Sequence, residues 1–321
     1  MWLKKIIVAI SVFFIIFIIF FCLDFISTAE QGALFVVRKE RCFLTIATRL
    51  KERNLIFSKK PSLFFIKFMN LQSKLKTDIC KLFDKNGILK TLKQLKNNSR
   101  NFIRITIPEG NNIKQTASII AEKVKINKEK FIRIANDRNL EGYLMPETYF
   151  VSLSVSEEEL IDMMHNEFNK KITYDMYERA KELNVPFKDI VNMASIIEKE
   201  AVKPEERSII AAVFYNRLKK NMRLQSCATV LYAIGDVTKK KLFLKDIKFK
   251  SQYNTYLHFG LPPGPISNPG IESIKAALYP TDSDALYFVS SGDGKHFFAK
   301  TFSKHVKNKQ TINNRKYRNL I

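Results

Sequence analysis

The chain has 321 residues, and its 54 Lys and Arg against 31 Asp and Glu leave a formal net charge of +23 at pH 7. The four cysteines and four histidines are scattered without metal-ligand spacing, which excludes a disulfide framework and a zinc-type centre, so no metal or cofactor is expected. The lysines are spread along the chain rather than gathered into a stripe, which argues against nucleic acid and for a dispersed positive surface that tolerates anionic lipid or cell-wall polymer.

Lys4 and Lys5 precede an uncharged run from Ile6 to Leu23 in which only Ser11 and Cys22 depart from aliphatic or aromatic character. A run of that length spans a bilayer, and the preceding lysines keep the short N-terminus cytoplasmic. The expectation is a retained single-pass anchor over 1–26, with the rest of the chain outside the cytoplasm. The alternative is cleavage after the small residues Ser27-Thr28-Ala29.

Leu34 to Val37 reads as a strand and Leu44 to Leu50 as a helix. The pattern recurs after a Lys-, Phe- and Leu-rich stretch from Phe57 to Leu95 that has helical spacing, with a break at Asn86-Gly87. Phe102 to Ile107 alternates as a strand, Pro108-Glu109-Gly110 turns, and Ile113 to Val124 is an amphipathic helix. The two halves predict a small α+β module over 27–140 with a helical insertion. Glu141 to Phe150 is irregular, with Gly142 and Pro146 bracketing aromatics. Ser156 then caps an acidic helix start whose periodicity runs to about Leu183.

Pro186 and Pro204 bracket the helix that carries Glu198 and Glu200. At 100° per residue, Ile190, Ala194, Ile197 and Ala201 centre its apolar stripe, with Glu198 at the stripe edge and Glu200 on the opposite flank. Burial there raises a carboxyl pKa, as a general acid requires, although the helix alone favours pairing of both acids with nearby Lys or Arg over chemistry. A further helix follows Pro204. Gly260 to Gly270, with four prolines and three glycines, makes a stiff, sharply bent loop suited to walling a groove. Ala285 to Ser290 and His296 to Ala299 form a hairpin through Gly292-Asp293-Gly294.

Several of these stretches together resemble the endolytic murein transglycosylase (YceG-like) family. They are Glu141 to Tyr149, Ala194 to Glu200, Val213 to Leu218, Met222 to Ser226, and Tyr253-Asn254-Thr255-Tyr256 with the proline loop after it. The resemblance implies an α+β protein built from the anchor, a LysM-like module and a mixed α+β catalytic domain over 141–321 with a central acid-bearing helix. It implies cleavage of the MurNAc-β-1,4-GlcNAc bond of peptidoglycan without water, leaving 1,6-anhydroMurNAc ends and setting glycan strand length.

In such a reaction the muramyl C6 hydroxyl is the internal nucleophile, so one acid suffices, and the resemblance assigns that role to Glu198. Gln225, Thr229, Tyr253 and Asn254 are the residues expected to hold the glycan. The implied partners are peptidoglycan strands, the cytoplasmic membrane and peptidoglycan synthases, with no nucleic acid. Two departures stand out. Arg38 to Cys42 lacks the Pro and Gly usual in the module's first repeat, and Cys227-Ala228-Thr229 stands where the family has Asp-Pro-Thr. The second leaves room for an alternative, a catalytically weak wall-binding scaffold.

Overall fold

The computed structural model describes residues 102–235 and 242–318, the short strands Ala33–Val36 and Ile79–Leu82, and helical positions 48 and 51. The expected anchor and most of the stretch expected to be LysM-like lie outside these residues. Among the described residues no helix is long and apolar enough to cross a membrane. The described architecture is mixed α+β, with helices and small two-stranded sheets.

Strand β1 (Ala33–Val36) pairs antiparallel with β2 (Ile79–Leu82), Ala33 opposite Leu82. This corrects one expectation, since β2 falls inside the stretch read as helical. A run as short as Ile79-Cys80-Lys81-Leu82 fits either period, and pairing with β1 decides it.

The described residues within 105–149 and 155–318 belong to one compact unit. Strand β3 (Phe102–Thr106) pairs with β4 (Thr148–Ser152). Between them lie α1 (Ile113–Ala121), started by an Asn112–Gln115 capping box, and α2 (Lys128–Asp137), capped by Asn127. The helical periodicity after Ser156 is realised as two helices, α3 (Glu157–Lys171) and α4 (Tyr174–Glu182), separated where Ile172 and Thr173 turn extended.

The central helix α5 (Phe187–Glu200) is buried at every position from Ile190 to Ile197. Neighbours cover it on several sides, so the polar Asn192 and Ser195 are buried along with the apolar stripe. Those neighbours are α4, α6 (Arg207–Lys219), entered through a 3-10 turn at Pro204–Glu206, α7 (Cys227–Ile234) and α8 (Ile271–Leu278). The core they share includes Ile190, Ile197, Phe214, Leu224, Ile266 and Ile274. Burial of such side chains stabilises by roughly 1.5–3 kcal/mol each.

The hairpin of β5 (Tyr287–Ser290) and β6 (His296–Ala299) forms as expected, Tyr287 opposite Ala299, and α9 (Phe302–Arg318) packs on both strands. Buried Arg217 anchors the hairpin by donating to Leu286 O and Leu224 O, each at 2.7 Å. On the other strand, His296 Nδ1 lies 2.7 Å from Glu206 Oε2.

Candidate active site

The two acids at the end of α5 face different surroundings. Glu198, with a side chain only 7% exposed, has both oxygens engaged. Its Oε2 accepts the Ser273 hydroxyl at 2.7 Å and the Gly270 N–H at 3.0 Å, both at the start of α8, and its Oε1 meets Arg207 Nη2 at 3.3 Å. Arg207 also reaches Glu109 Oε2 at 3.3 Å, so one guanidinium bridges two carboxylates. Glu109 is raised above the usual carboxylate range, by burial first and by the Glu198 charge second. These contacts tie the turn before α1 and the start of α8 to α5.

Glu200 leaves the helix on the other side and lines a cavity of about 220 Å³ with Lys199, Gln115, Cys227, Ala228 and Tyr232. Its Oε1 accepts the Ser226 hydroxyl at 2.5 Å. Burial pushes the Glu200 carboxyl upward, against the lowering influence of the Ser226 hydroxyl, the Ala228 N–H and the charges of His296 and Arg217. Ser226 and Ala228 stand at the start of α7, where backbone N–H groups point outward and favour negative charge. Glu200 is therefore a carboxyl that holds its proton at higher pH than a free glutamate, with donors already in place for the anion.

Of the residues expected to hold glycan, only Tyr253 lines a cavity described here. It stands in a second one, of about 470 Å³, with Tyr232, whose ring also borders the first. Thr229 is buried, giving its hydroxyl to Ser226 O at 2.8 Å and lying 2.9 Å from Thr255 Oγ1, which in turn receives the Ser226 N–H at 3.0 Å. This network aims Ser226 at Glu200 from behind the wall. Asn254 is also buried, its amide donating to Ile247 O and Phe249 O at 2.8 Å and its oxygen accepting the Tyr256 N–H at 2.9 Å. Those bonds clamp the 247–256 loop and use both hydrogens of the amide. Gln225 takes a left-handed backbone, φ 51°, and its N–H binds Thr255 O at 3.1 Å while its side chain is exposed.

Sequence reasoning did not single out Glu141 or Ser226. Glu141 accepts the Ile113 N–H at 3.1 Å, the first of α1, and the Tyr232 hydroxyl at 3.2 Å. Burial pushes its carboxyl up to about 7. Its place opening the Glu141 to Tyr149 motif, before a glycine that must stay small, was the available signal. Cys227 lies on the cavity wall with Sγ 3.2 Å from the Tyr256 hydroxyl, and burial raises its thiol pKa.

A carboxyl pushed upward by burial at a cavity wall, with a helix start beside it, is an arrangement that general-acid chemistry uses, here on an α+β fold. The family model for the YceG-like family matches residues 35–311, and the chain belongs to that family. The endolytic murein transglycosylase of Bacillus subtilis (strain 168) is 34% identical over 293 residues, covering 83% of this chain and 80% of that protein. That of Streptococcus pneumoniae serotype 2 (strain D39) is 31% identical over 278 residues, 75% of this chain, which spans about half (49%) of that protein's length. A crystal structure of a yceG-like protein from Listeria monocytogenes superposes with a TM-score of 0.61 at 33% identity, covering 86% of this chain and 99% of that one.

Proposed function

We propose that the protein is an endolytic peptidoglycan lytic transglycosylase in which Glu200 is the acid. The observation that carries the reading is the Glu200 carboxyl, pushed upward by burial at a cavity wall and held by Ser226. Relatives named endolytic murein transglycosylases, alike over most of this chain, support the substrate class.

Protonated Glu200 donates to the oxygen leaving the muramyl C1, and the carboxylate so formed takes the proton of the muramyl C6 hydroxyl as that oxygen closes on C1. The products are a 1,6-anhydroMurNAc end and a free GlcNAc hydroxyl. The Ser226 hydroxyl and the Ala228 N–H stabilise the carboxylate between the two transfers. The role expected for Glu198 is thus proposed two residues on, because both Glu198 oxygens are engaged by Arg207, Gly270 and Ser273.

The reading extends to a protein anchored by 1–26, carrying a LysM-like module over 27–140 and a catalytic domain over 141–321 outside the cytoplasm, where it sets strand length beside peptidoglycan synthases. The run from Ile6 to Leu23 supports the anchor. The test is digestion of intact peptidoglycan by the full chain in detergent, with mass spectrometry separating anhydro from hydrated ends. Anhydro ends are expected, and hydrated ends alone refute the mechanism. Cys227 on the cavity wall, where the family resemblance leads one to expect Asp, favours a second reading, a scaffold that binds glycan without cutting. That reading holds if glycan is bound and no ends appear.

A further inference from the structure

The cavity of about 220 Å³ beside Glu200 is below the roughly 300–1,000 Å³ of typical small-molecule sites, so it can house the reacting bond but little of a polymer. The second cavity, about 470 Å³, lies within that range, and Tyr232 borders both. Its walls are the rings of Tyr143, Tyr232 and Tyr253 and the segment Pro263-Gly264-Pro265.

Each wall is held in place by a contact already described or by one of similar kind. Tyr232 is fixed through its hydroxyl on Glu141, and its ring centre lies 5.0 Å from that of Tyr253. Tyr143 packs edge-on to Phe168 at 5.2 Å. A Cβ on Gly264 would come within 3.3 Å of the Tyr253 hydroxyl, so the glycine leaves room for the phenol. The buried Asn192 amide donates to Pro262 O at 2.7 Å, pinning the proline segment, while its Oδ1 has no donor among the described residues. Asn136, Asn139, Lys188 and Asp189 supply polar groups around these walls.

Flat aromatic faces beside amides suit a ring with one apolar face and an edge of hydroxyl and acetamido groups. One lysine against Glu141 and Asp189 disfavours a polyanion, and so many polar groups disfavour an acyl chain. We propose that this cavity is a second saccharide subsite, taking one N-acetylhexosamine ring of the strand whose scissile bond lies at Glu200. The inference rests on the glycan-cleaving reading above. Holding a remote ring lets binding energy act at the reacting bond, which is what cleavage inside a strand demands.

The test uses the full chain in detergent, with Glu200→Gln preventing turnover, and peptide-free GlcNAc-MurNAc oligomers of two, four and six sugars. Affinity should rise with length, and adding Tyr253→Ala should weaken the six-sugar oligomer about tenfold while sparing the two-sugar one. With Glu200 intact, Tyr253→Ala should lower kcat/KM for strands about tenfold. Should Tyr253→Ala unfold, a six-sugar oligomer with a photoreactive acetamido group is applied to the otherwise unaltered Glu200→Gln chain. Labelling within 136–143 or 253–265 supports the site, and labelling confined to residues around Glu200 overturns it. Unchanged affinity of the folded Tyr253→Ala chain for the six-sugar oligomer, alongside anhydro ends from wild type, sinks the subsite and leaves the activity standing. Length-dependent, Tyr253-dependent binding without anhydro ends does the reverse. Binding of stem peptides but not of glycan overturns it in favour of a peptide site.

Discussion

Glu198 and Glu200 share one helix and differ in what their oxygens meet. Glu200→Gln keeps the shape and removes the titrating proton, so anhydro ends should vanish while thermal unfolding and glycan binding change little. Glu198→Gln removes the charge that faces Arg207 and should destabilise the fold by about 1–3 kcal/mol, measured by urea unfolding, with turnover retained. Loss of turnover in the Glu198 variant alone would return the acid role there. Since the Glu200 pKa is raised and the protonated form is the donor, kcat/KM should fall as pH climbs through that raised value. Cys227→Asp puts a second anion near Glu200 and should move this alkaline limb upward; an unmoved limb would mean that position 227 does not sense the acid.

The sequence placed both acids on the right helix and on different flanks. It did not disclose which flank meets the cavity, because the deciding partners come from elsewhere: Ser226 from the start of α7, Gly270 and Ser273 from the start of α8. Thr229 and Asn254 are a related case. Polar residues in a loop-rich motif look available to substrate until the backbone carbonyls that occupy them are known.

At the scale of elements, a few buried polar groups join segments distant in the chain. Asn268 accepts the N–H groups of Gly142 and Leu144 at 2.9 and 3.0 Å and donates to Asn111 O at 3.0 Å. Asn268→Ala strands two buried donors and should cost about 2–4 kcal/mol in urea unfolding. Gly142 beside it has φ 89°, and a Cβ there would sit 2.6 Å from the Pro265 ring, which explains the glycine in that motif. Glu141, at about 7 in the folded state, lies above its unfolded value of roughly 4.3. The folded state holds this proton more tightly, so its contribution is full below the unfolded value and is lost as pH rises to about 7, a change of order 3 kcal/mol. Glu141→Gln should flatten the difference in unfolding free energy between pH 4 and pH 8, and an unchanged slope would remove Glu141 as its source. Elements bounded by strong signals were legible, namely β3, the capped α1 and α3, and the β5–β6 hairpin. Helices α2 and α7 were not, since one follows a short polar connection and the other lies inside a motif read for chemistry.

For the whole molecule the formal charge of +23 sets long-range behaviour. Positive charge spread along the chain attracts anionic wall polymer without selecting a partner, and its reach shrinks from about 10 Å at 0.1 M salt to about 3 Å at 1 M. The proposed site differs: there Glu200 and three half-buried tyrosines would meet the glycan at short range, where its charge is confined to the lactyl carboxylates of the muramyl rings. Retention on intact wall carrying anionic polymer should therefore fall steeply as salt is raised from 0.1 to 1 M. Cleavage of peptide-free oligomers should change by less than about threefold over the same range. Wall stripped of its anionic polymer should show weak salt dependence in both measurements. A steep salt dependence of oligomer cleavage itself would mean that lysines, and not the aromatic cavity, supply the grip on glycan.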